Sequence, residues 1–410
     1  MKRIPTSGLR ILKPHTNKCS IFSALLSLNL LAACGSNQAG QAPNQSNIDS
    51  VNIEQTPIEN QRAIGLCWAY ATVALVESNH KVTHNNASIN LSEEALGFYR
   101  MAETFAAVSN AAANVDEIVE YLKLDSFEGG LVKSTKAEES VVPDALQLIQ
   151  KYGLVPESQW NIKFTNSQAT KTFVTKIKSR FLSYIQTKSD GIKSTPEQII
   201  QHVMISPDTF KSAPPTQFNY NGTLISATGF AREKLGFKTE QFEALSADNE
   251  VQLDSLIAAV KRALARGLSV PIGFPVNFDR LHRGSFSGKG ANVSNPSDFL
   301  REGGHAVLIT DFVNNNGVKG AISATELGAE IQKPSSELDF FVIKNSWGLA
   351  AQNNESGSIV SGSADGYYTM DRSFLIGSAN VQKILSVVVP SDIALNPYKQ
   401  VEINSVVTRH

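Results

Sequence analysis

The chain has 410 residues, and its 37 lysines and arginines against 38 aspartates and glutamates give a formal net charge of −1. This balance leaves no excess of positive charge to bind phosphates, so we expect no nucleic-acid partner. An apolar share of 42% with 8% aromatic residues is typical of a globular chain and excludes a disordered one. The three cysteines are too few for a disulfide framework and match no zinc spacing, so each needs its own explanation.

Residues 1–33 have the organisation of a signal peptide. Five lysines and arginines precede an apolar run from Ile21 to Ala33, which ends in Leu31-Ala32-Ala33-Cys34. This ending resembles the bacterial lipoprotein signal, which implies that Cys34 is lipidated and becomes the new N-terminus. The alternative is an ordinary signal peptide cut nearby, with Cys34 incidental. By the same resemblance, Gly35 after the acylated position favours the outer membrane, on its periplasmic or cell-surface face.

Residues 34–60 are rich in Asn, Gln and Ser and have few aliphatic side chains. Such a composition buries too little apolar surface to order itself, so this segment is predicted to be a polar tether. Two or three acyl chains on Cys34 would make attachment to a membrane stable, whereas a single chain would be marginal. The predicted location is therefore exported and anchored to a membrane through Cys34.

Cys67 lies at the predicted start of a helix. Gly65 permits a tight turn before it, and Ala71, Ala74, Leu75 and Ser78 follow at helical spacing. A thiol at the first turn of a helix faces unpaired N–H groups and the positive end of the helix dipole, which favour the nucleophilic thiolate. A buried structural cysteine is the alternative on this segment alone.

Two later segments place a polar side chain next to a predicted buried strand. His305 stands at the start of the apolar run Ala306-Val307-Leu308-Ile309, and Asn345 ends the run Phe341-Val342-Ile343-Lys344. Considered alone, His305 is typical of a histidine at a sheet edge, and Asn345 is typical of an asparagine in a turn. Together with Cys67 they supply the nucleophile, the base and the group that orients the base, as nucleophilic catalysis requires.

This set resembles the papain family of cysteine peptidases, from about Gln61 to about Met370, and leans towards its bleomycin hydrolase-like branch. Further matching segments keep the family's order along the chain: Gln61, Leu91-Ser92-Glu93-Glu94, Glu128-Gly129-Gly130, Asp144-Ala145-Leu146-Gln147, Lys151 to Pro156, Lys344-Asn345-Ser346-Trp347-Gly348 and Gly366-Tyr367-Tyr368. The resemblance implies an α+β fold in two lobes, one helical and one an antiparallel β-sheet, with the site in the crevice between them.

The resemblance also implies the role of each residue. Cys67 is the nucleophile, held as a thiolate by His305, which acts as general acid and base, and Asn345 orients the histidine ring. Gln61 and the backbone N–H of Cys67 form the oxyanion hole. Gly129 and Gly130 present their backbone to an extended substrate, although a simple turn is the alternative there. Trp347 covers the His305–Asn345 contact and is assigned with them to the substrate-binding residues.

His305 follows Cys67 by 238 residues, which is more than the plain papain arrangement allows. We attribute the excess to an insertion, which we hypothesise to be a lid across the cleft. The predicted organisation is a signal peptide (1–33), a tether (34–60), a helical lobe with the nucleophile (61–164), an insertion (165–250), a β-sheet lobe with His305 and Asn345 (251–390) and a tail (391–410).

The predicted function is hydrolysis of peptide bonds in a peptide or protein substrate through a thioester acyl-enzyme. Two alternatives remain: an acyltransferase that uses the same triad, and an inactive binding lipoprotein with this fold. No cofactor is expected. No metal site is expected either, because the one pair at ligand spacing, His80 and His84, lies in an Asn-rich, loop-like segment.

Overall fold

The computed structural model describes residues 53, 55–61, 65–84, 87–123, 142–160, 162, 167–299, 303–315, 323–349, 365–382 and 385–397. The predicted signal peptide, Cys34, and the pair Gly129 and Gly130 lie outside these residues. Within the described ranges, no helix has both the length and the apolar character needed to cross a membrane.

The N-terminal part of the described chain is mainly helical. Its helices are α1 (Cys67–Thr83), α2 (Glu93–Ala111), α3 (Val115–Lys123), α4 (Val142–Tyr152), α5 (Ser167–Thr187) and the short α6 (Pro196–Ile199) and α7 (Ala227–Gly229). An antiparallel hairpin of β1 (Gln217–Tyr220) and β2 (Thr223–Ser226) lies between α6 and α7 in the chain. Side-chain caps fix several helix starts; for example, the Ser92 hydroxyl accepts the backbone N–H of Ala95 at the start of α2.

The C-terminal part is built on an eight-stranded sheet with the strand order β3-β10-β4-β7-β8-β9-β6-β5. The strands are β3 (Phe242–Ala247), β4 (Val270–Val276), β5 (Leu281–His282), β6 (Ser285–Phe286), β7 (Gly303–Asn314), β8 (Leu338–Lys344), β9 (Tyr367–Asp371) and β10 (Leu385–Pro390). Neighbouring strands pair antiparallel, except that β6 runs parallel to β9. The described residues of this part also form four helices: α8 (Glu250–Ala265), α9 (Ala324–Gln332), α10 (Arg372–Gly377) and α11 (Ser391–Leu395). The predicted α+β fold with an antiparallel sheet is confirmed.

Strands β7 and β8 decide where the two predicted polar residues meet. The strands are antiparallel neighbours, with Leu308 opposite Lys344. The start of β7 therefore lies beside the end of β8. His305 is at that start, and Asn345 directly follows that end, so the pairing brings together residues that are 40 positions apart in the chain.

Helix α1 lies between the two parts of the molecule. It begins at Cys67 because Gly65 takes the left-handed conformation, with φ of 68°, and turns the chain. The carbonyl oxygen of Leu66 then accepts the amides of Ala69 and Tyr70 at 2.8 and 3.0 Å. The helix packs against α2 and α4 on one side and against β4 and β7 on another, so most of its residues are buried.

The described residues of the predicted insertion 165–250 contribute to the core. Apolar side chains from this segment join the cluster that surrounds α1, among them Ile177, Phe181, Phe210, Phe230 and Phe237. A second cluster packs α8 against the sheet. Strand β3 also falls within 165–250, yet it pairs with β10 in the sheet. The domain boundaries and the lid hypothesis stay predictions.

Candidate active site

Cys67 is the first residue of α1, and only 6% of its surface is exposed. Burial raises the pKa of its thiol to about 11, because a thiolate loses its hydration there. Backbone hydrogen bonds from Ala306, Trp68 and Cys67 itself act in the opposite direction. Ala306 directly follows His305 in β7, so this contact places the sulfur beside the start of β7.

His305 and Asn345 are joined by a hydrogen bond. His305 Nε2 lies 2.9 Å from Asn345 Oδ1, and both residues are buried. Because the amide oxygen only accepts hydrogen bonds, Nε2 carries the proton, and Nδ1 is left as the basic nitrogen. The backbone N–H of Asn345 donates to the carbonyl oxygen of Gly366 at 3.1 Å, which fixes the asparagine at the end of β8.

Burial lowers the pKa of the His305 imidazole to about 4, against the raising effect of the Asn345 hydrogen bond. Together with the raised pKa of Cys67, this favours a neutral thiol and a neutral imidazole in the free site at neutral pH. The resemblance implies an ion pair, whereas burial of both side chains favours their uncharged forms. The ion pair between Cys67 and His305 stays a prediction.

Trp347 covers the histidine. Its ring stacks on the His305 ring with centroids 4.6 Å apart and an interplanar angle of 16°. Phe274 approaches the same imidazole edge-on, with centroids 5.6 Å apart. The ring of His305 is therefore confined on more than one side, which holds it in the orientation that the Asn345 bond requires.

Gln61 is held beside this group by Ser346. The backbone N–H of Gln61 donates to the carbonyl oxygen of Ser346 at 2.8 Å, and the Ser346 hydroxyl donates to Gln61 Oε1 at 2.6 Å. With Oε1 engaged, Nε2 is the part of the amide oriented to donate elsewhere. An oxyanion hole requires such a donor.

The structure thus brings Cys67, His305, Asn345, Gln61 and Trp347 to one place. Sequence analysis missed Ser346 and Phe274, which hold these residues in position. Ser346 stands inside the motif Lys344 to Gly348, so the motif contained the signal, but its partner Gln61 is 285 residues away. Phe274 lies on β4 and gave no signal beyond its place in an apolar run.

A second cluster of buried polar side chains, around Lys344, adjoins Asn345 and was also not predicted from the sequence. Lys344 Nζ donates to the carbonyl and hydroxyl oxygens of Thr56 at 2.8 and 2.9 Å. Burial raises the pKa of Glu77 to about 7. Burial and the nearby charge of Glu77 together raise the pKa of Glu93. Burial lowers the pKa of Lys344 to about 8. This group ties the residues before Gln61 to α1 and β8.

Comparisons with known proteins identify the family and the fold of this chain. The model of the Peptidase C1-like family matches residues 10–223, which include Gln61 and Cys67. Mitochondrial cysteine proteinase 1 of Saccharomyces cerevisiae is 24% identical over 185 residues, or 41% of this chain. This match spans only 36% of the length of the yeast protein.

A crystal structure of PepW from Lactobacillus rhamnosis HN001 is similar to this chain, with a TM-score of 0.51 and 12% identity. The superposition covers 84% of this chain and 82% of PepW. At this identity the likeness shows the fold alone. The predicted papain-like relationship is confirmed, and the leaning towards the bleomycin hydrolase-like branch fits the yeast relative.

Proposed function

The chain belongs to the Peptidase C1-like family, and on that premise we propose that it is a cysteine peptidase. It hydrolyses peptide bonds in peptide or protein substrates through a thioester acyl-enzyme. The observation that carries the proposal is the 2.9 Å bond between His305 and Asn345, with the thiol of Cys67 beside the adjoining backbone. Nucleophile, base and orienting group are all supplied at one point.

In the proposed first half-reaction, Cys67 Sγ attacks the carbonyl carbon of the scissile bond while His305 Nδ1 takes the thiol proton. The carbonyl oxygen becomes an oxyanion, which accepts hydrogen bonds from Gln61 Nε2 and the backbone N–H of Cys67. His305 then gives its proton to the amide nitrogen, the carbon–nitrogen bond breaks, and the amine leaves. The acyl group remains on Cys67 as a thioester.

In the second half-reaction, water attacks the thioester carbon and His305 takes a proton from the water. The carbon–sulfur bond breaks, and the proton returns to the sulfur as the carboxylic acid is released. Asn345 Oδ1 accepts a hydrogen bond from Nε2 and keeps a proton on that nitrogen throughout, so Nδ1 alone gains and loses a proton. All the proton transfers thus use one nitrogen of one ring.

Covalent labelling tests the proposal. A peptidyl epoxide or vinyl sulfone is expected to label the protein once, at Cys67, because the alkylated group is the nucleophile of the acyl transfer. Mass spectrometry of the labelled peptide identifies the residue. Cys67→Ser keeps the size of the side chain and should abolish both labelling and peptide cleavage. Labelling at Cys67 without any cleavage of a peptide library would contradict the proposed hydrolysis.

We further propose that the protein is exported and anchored to a bacterial membrane through lipid on Cys34, with the outer membrane favoured. The support is the sequence Leu31-Ala32-Ala33-Cys34 after a positive, apolar segment. The wild-type chain is expected to partition into the membrane fraction and to incorporate labelled palmitate. Cys34→Ala should lose the label and shift to the soluble fraction, whereas Cys19→Ala, upstream of the apolar run, should change neither. Membrane-bound, unlabelled Cys34→Ala protein would contradict the anchor.

A further inference from the structure

The residues directly before the site form a strap, residues 55–61, that is fastened to the end of β8. Lys344 Nζ donates to the carbonyl and hydroxyl oxygens of Thr56 at 2.8 and 2.9 Å, near one end of the strap. Ser346 holds Gln61 at the other end, through its backbone carbonyl and its hydroxyl group. Both ends of the strap are therefore attached to one run of three consecutive residues.

Alternate residues of this run hold different parts of the site. The side chains of Lys344 and Ser346 contact the strap. The side chains of Asn345 and Trp347 contact the ring of His305. Such alternation is typical of an extended chain, in which successive side chains point to opposite sides. The same short run thus positions the base on one side and the proposed oxyanion donor on the other.

The contact between Lys344 and Thr56 is buried, so water cannot simply replace it. Lys344 is 7% exposed and Thr56 is 8% exposed. The Lys344 ammonium group also interacts with the carboxylates of Glu77 and Glu93, which are buried as well. Without the ammonium group, the Thr56 carbonyl would be left as a buried acceptor without a donor, which is costly. The strap relieves this cost by moving outwards to water, and Gln61 moves with it.

We propose that Lys344 is a positioning residue for the oxyanion donor Gln61 and acts on it through the strap. This inference rests on the proposed peptidase function. An oxyanion hole is effective only when its donors already stand where the negative charge develops, so a small displacement of a donor lowers the rate. The contact at Thr56 fixes the strap five residues before Gln61. Because Gln55 lies on the far side of Thr56, loosening at Gln55 does not reach the site.

A double-mutant cycle between Lys344 and Gln61 tests this assignment. Lys344→Met keeps the length of the side chain and removes its donors. In the otherwise wild-type protein it should lower kcat for a peptide substrate by about tenfold with little change in KM, which is less than the loss of a whole donor. In Gln61→Ala the same change should lower kcat by less than about twofold, because no donor remains to be displaced. Titration with a peptidyl epoxide counts the active protein in each preparation.

A matched control and a second variant separate positioning from a general structural role. Lys261 on α8 is also a buried lysine, 1% exposed, but its Nζ donates to the carbonyl oxygen of Lys333 at 3.3 Å and not to the strap. Lys261→Met should lower thermal stability and leave kcat unchanged. Thr56→Val keeps the side-chain volume and removes the hydroxyl, so it should lower kcat by about threefold, and this effect should also vanish in Gln61→Ala. Thr56→Val decides the question if Lys344→Met does not fold.

Alkylation of Cys67 by iodoacetamide should proceed at the wild-type rate in Lys344→Met, because the nucleophile and its base remain. A slower rate would place the effect on His305 and overturn the assignment. An equal loss of kcat with and without Gln61, or no loss in either case, overturns it as well and leaves the peptidase proposal intact. Failure of the wild-type protein to cleave a peptide library overturns the peptidase proposal, and this assignment with it.

Discussion

Replacing His305 with alanine is expected to lower kcat/KM for a peptide substrate by about 10⁴-fold. Burial sets the pKa of the Cys67 thiol at about 11, so at pH 7 only about one thiol in 10⁴ is ionised without help. The imidazole removes this penalty by accepting the proton as the sulfur attacks. It also protonates the leaving amine, and alanine can do neither.

Alkylation by iodoacetamide separates the two contributions, because it needs the thiolate but no leaving-group proton. In His305→Ala the rate should rise about tenfold per pH unit for as long as most of the thiol remains protonated, since only the thiolate reacts. The wild-type protein should react faster than the variant in the neutral range. His80→Ala, which truncates a buried histidine on α1 away from Asn345, is the matched control. Equal alkylation rates in wild type and His305→Ala near neutral pH would show that His305 does not activate Cys67.

Replacing Gln61 with alanine is expected to lower kcat by about 10²–10³-fold, the usual effect of losing one oxyanion donor. The change should appear in kcat more than in KM, because the oxyanion exists in the transition state and not in the bound substrate. Cys67 should still be alkylated at the wild-type rate, since the nucleophile and its base remain. Steady-state kinetics and alkylation on the same preparation measure both.

Gln55→Ala provides the matched control for Gln61→Ala. Gln55 precedes Gln61 by six residues, but its Nε2 donates to Ser269 Oγ at 2.8 Å and to Ser78 Oγ at 3.2 Å. Its loss removes hydrogen bonds from the structure without removing a donor from the site. We expect lower thermal stability and an unchanged kcat in the folded protein. If both variants lose activity equally, Gln61 acts by holding its segment in place and not as an oxyanion donor.

Local sequence was enough to predict several elements of the site. Gly65 before Cys67 predicted the turn into α1, and the structure confirms a left-handed glycine followed by a helix that begins at Cys67. The apolar runs after His305 and before Asn345 predicted the two strands that became β7 and β8. These features depend on a few adjacent residues, so they are readable without knowledge of the rest of the chain.

Other features of the site depend on contacts between distant residues. Ser346 holds Gln61 across 285 positions, and Lys344 holds Thr56 across 288. The described part of the predicted insertion turned out to supply Phe181, Phe210 and Phe230 to the core around α1. Neither periodicity nor motif spacing contains this information, because each contact forms only after separate elements have packed.

The sequence by itself determined the family, the candidate reacting groups and the local elements that hold each of them, because side-chain chemistry and backbone preference are properties of short segments. Tertiary structure decided the protonation states and the surroundings of those groups. The pKa values of Cys67 and His305 are set chiefly by loss of water, which depends on how α1 and β7 pack. The contact between Lys344 and Thr56 likewise arises only when the residues before α1 pack against the end of β8.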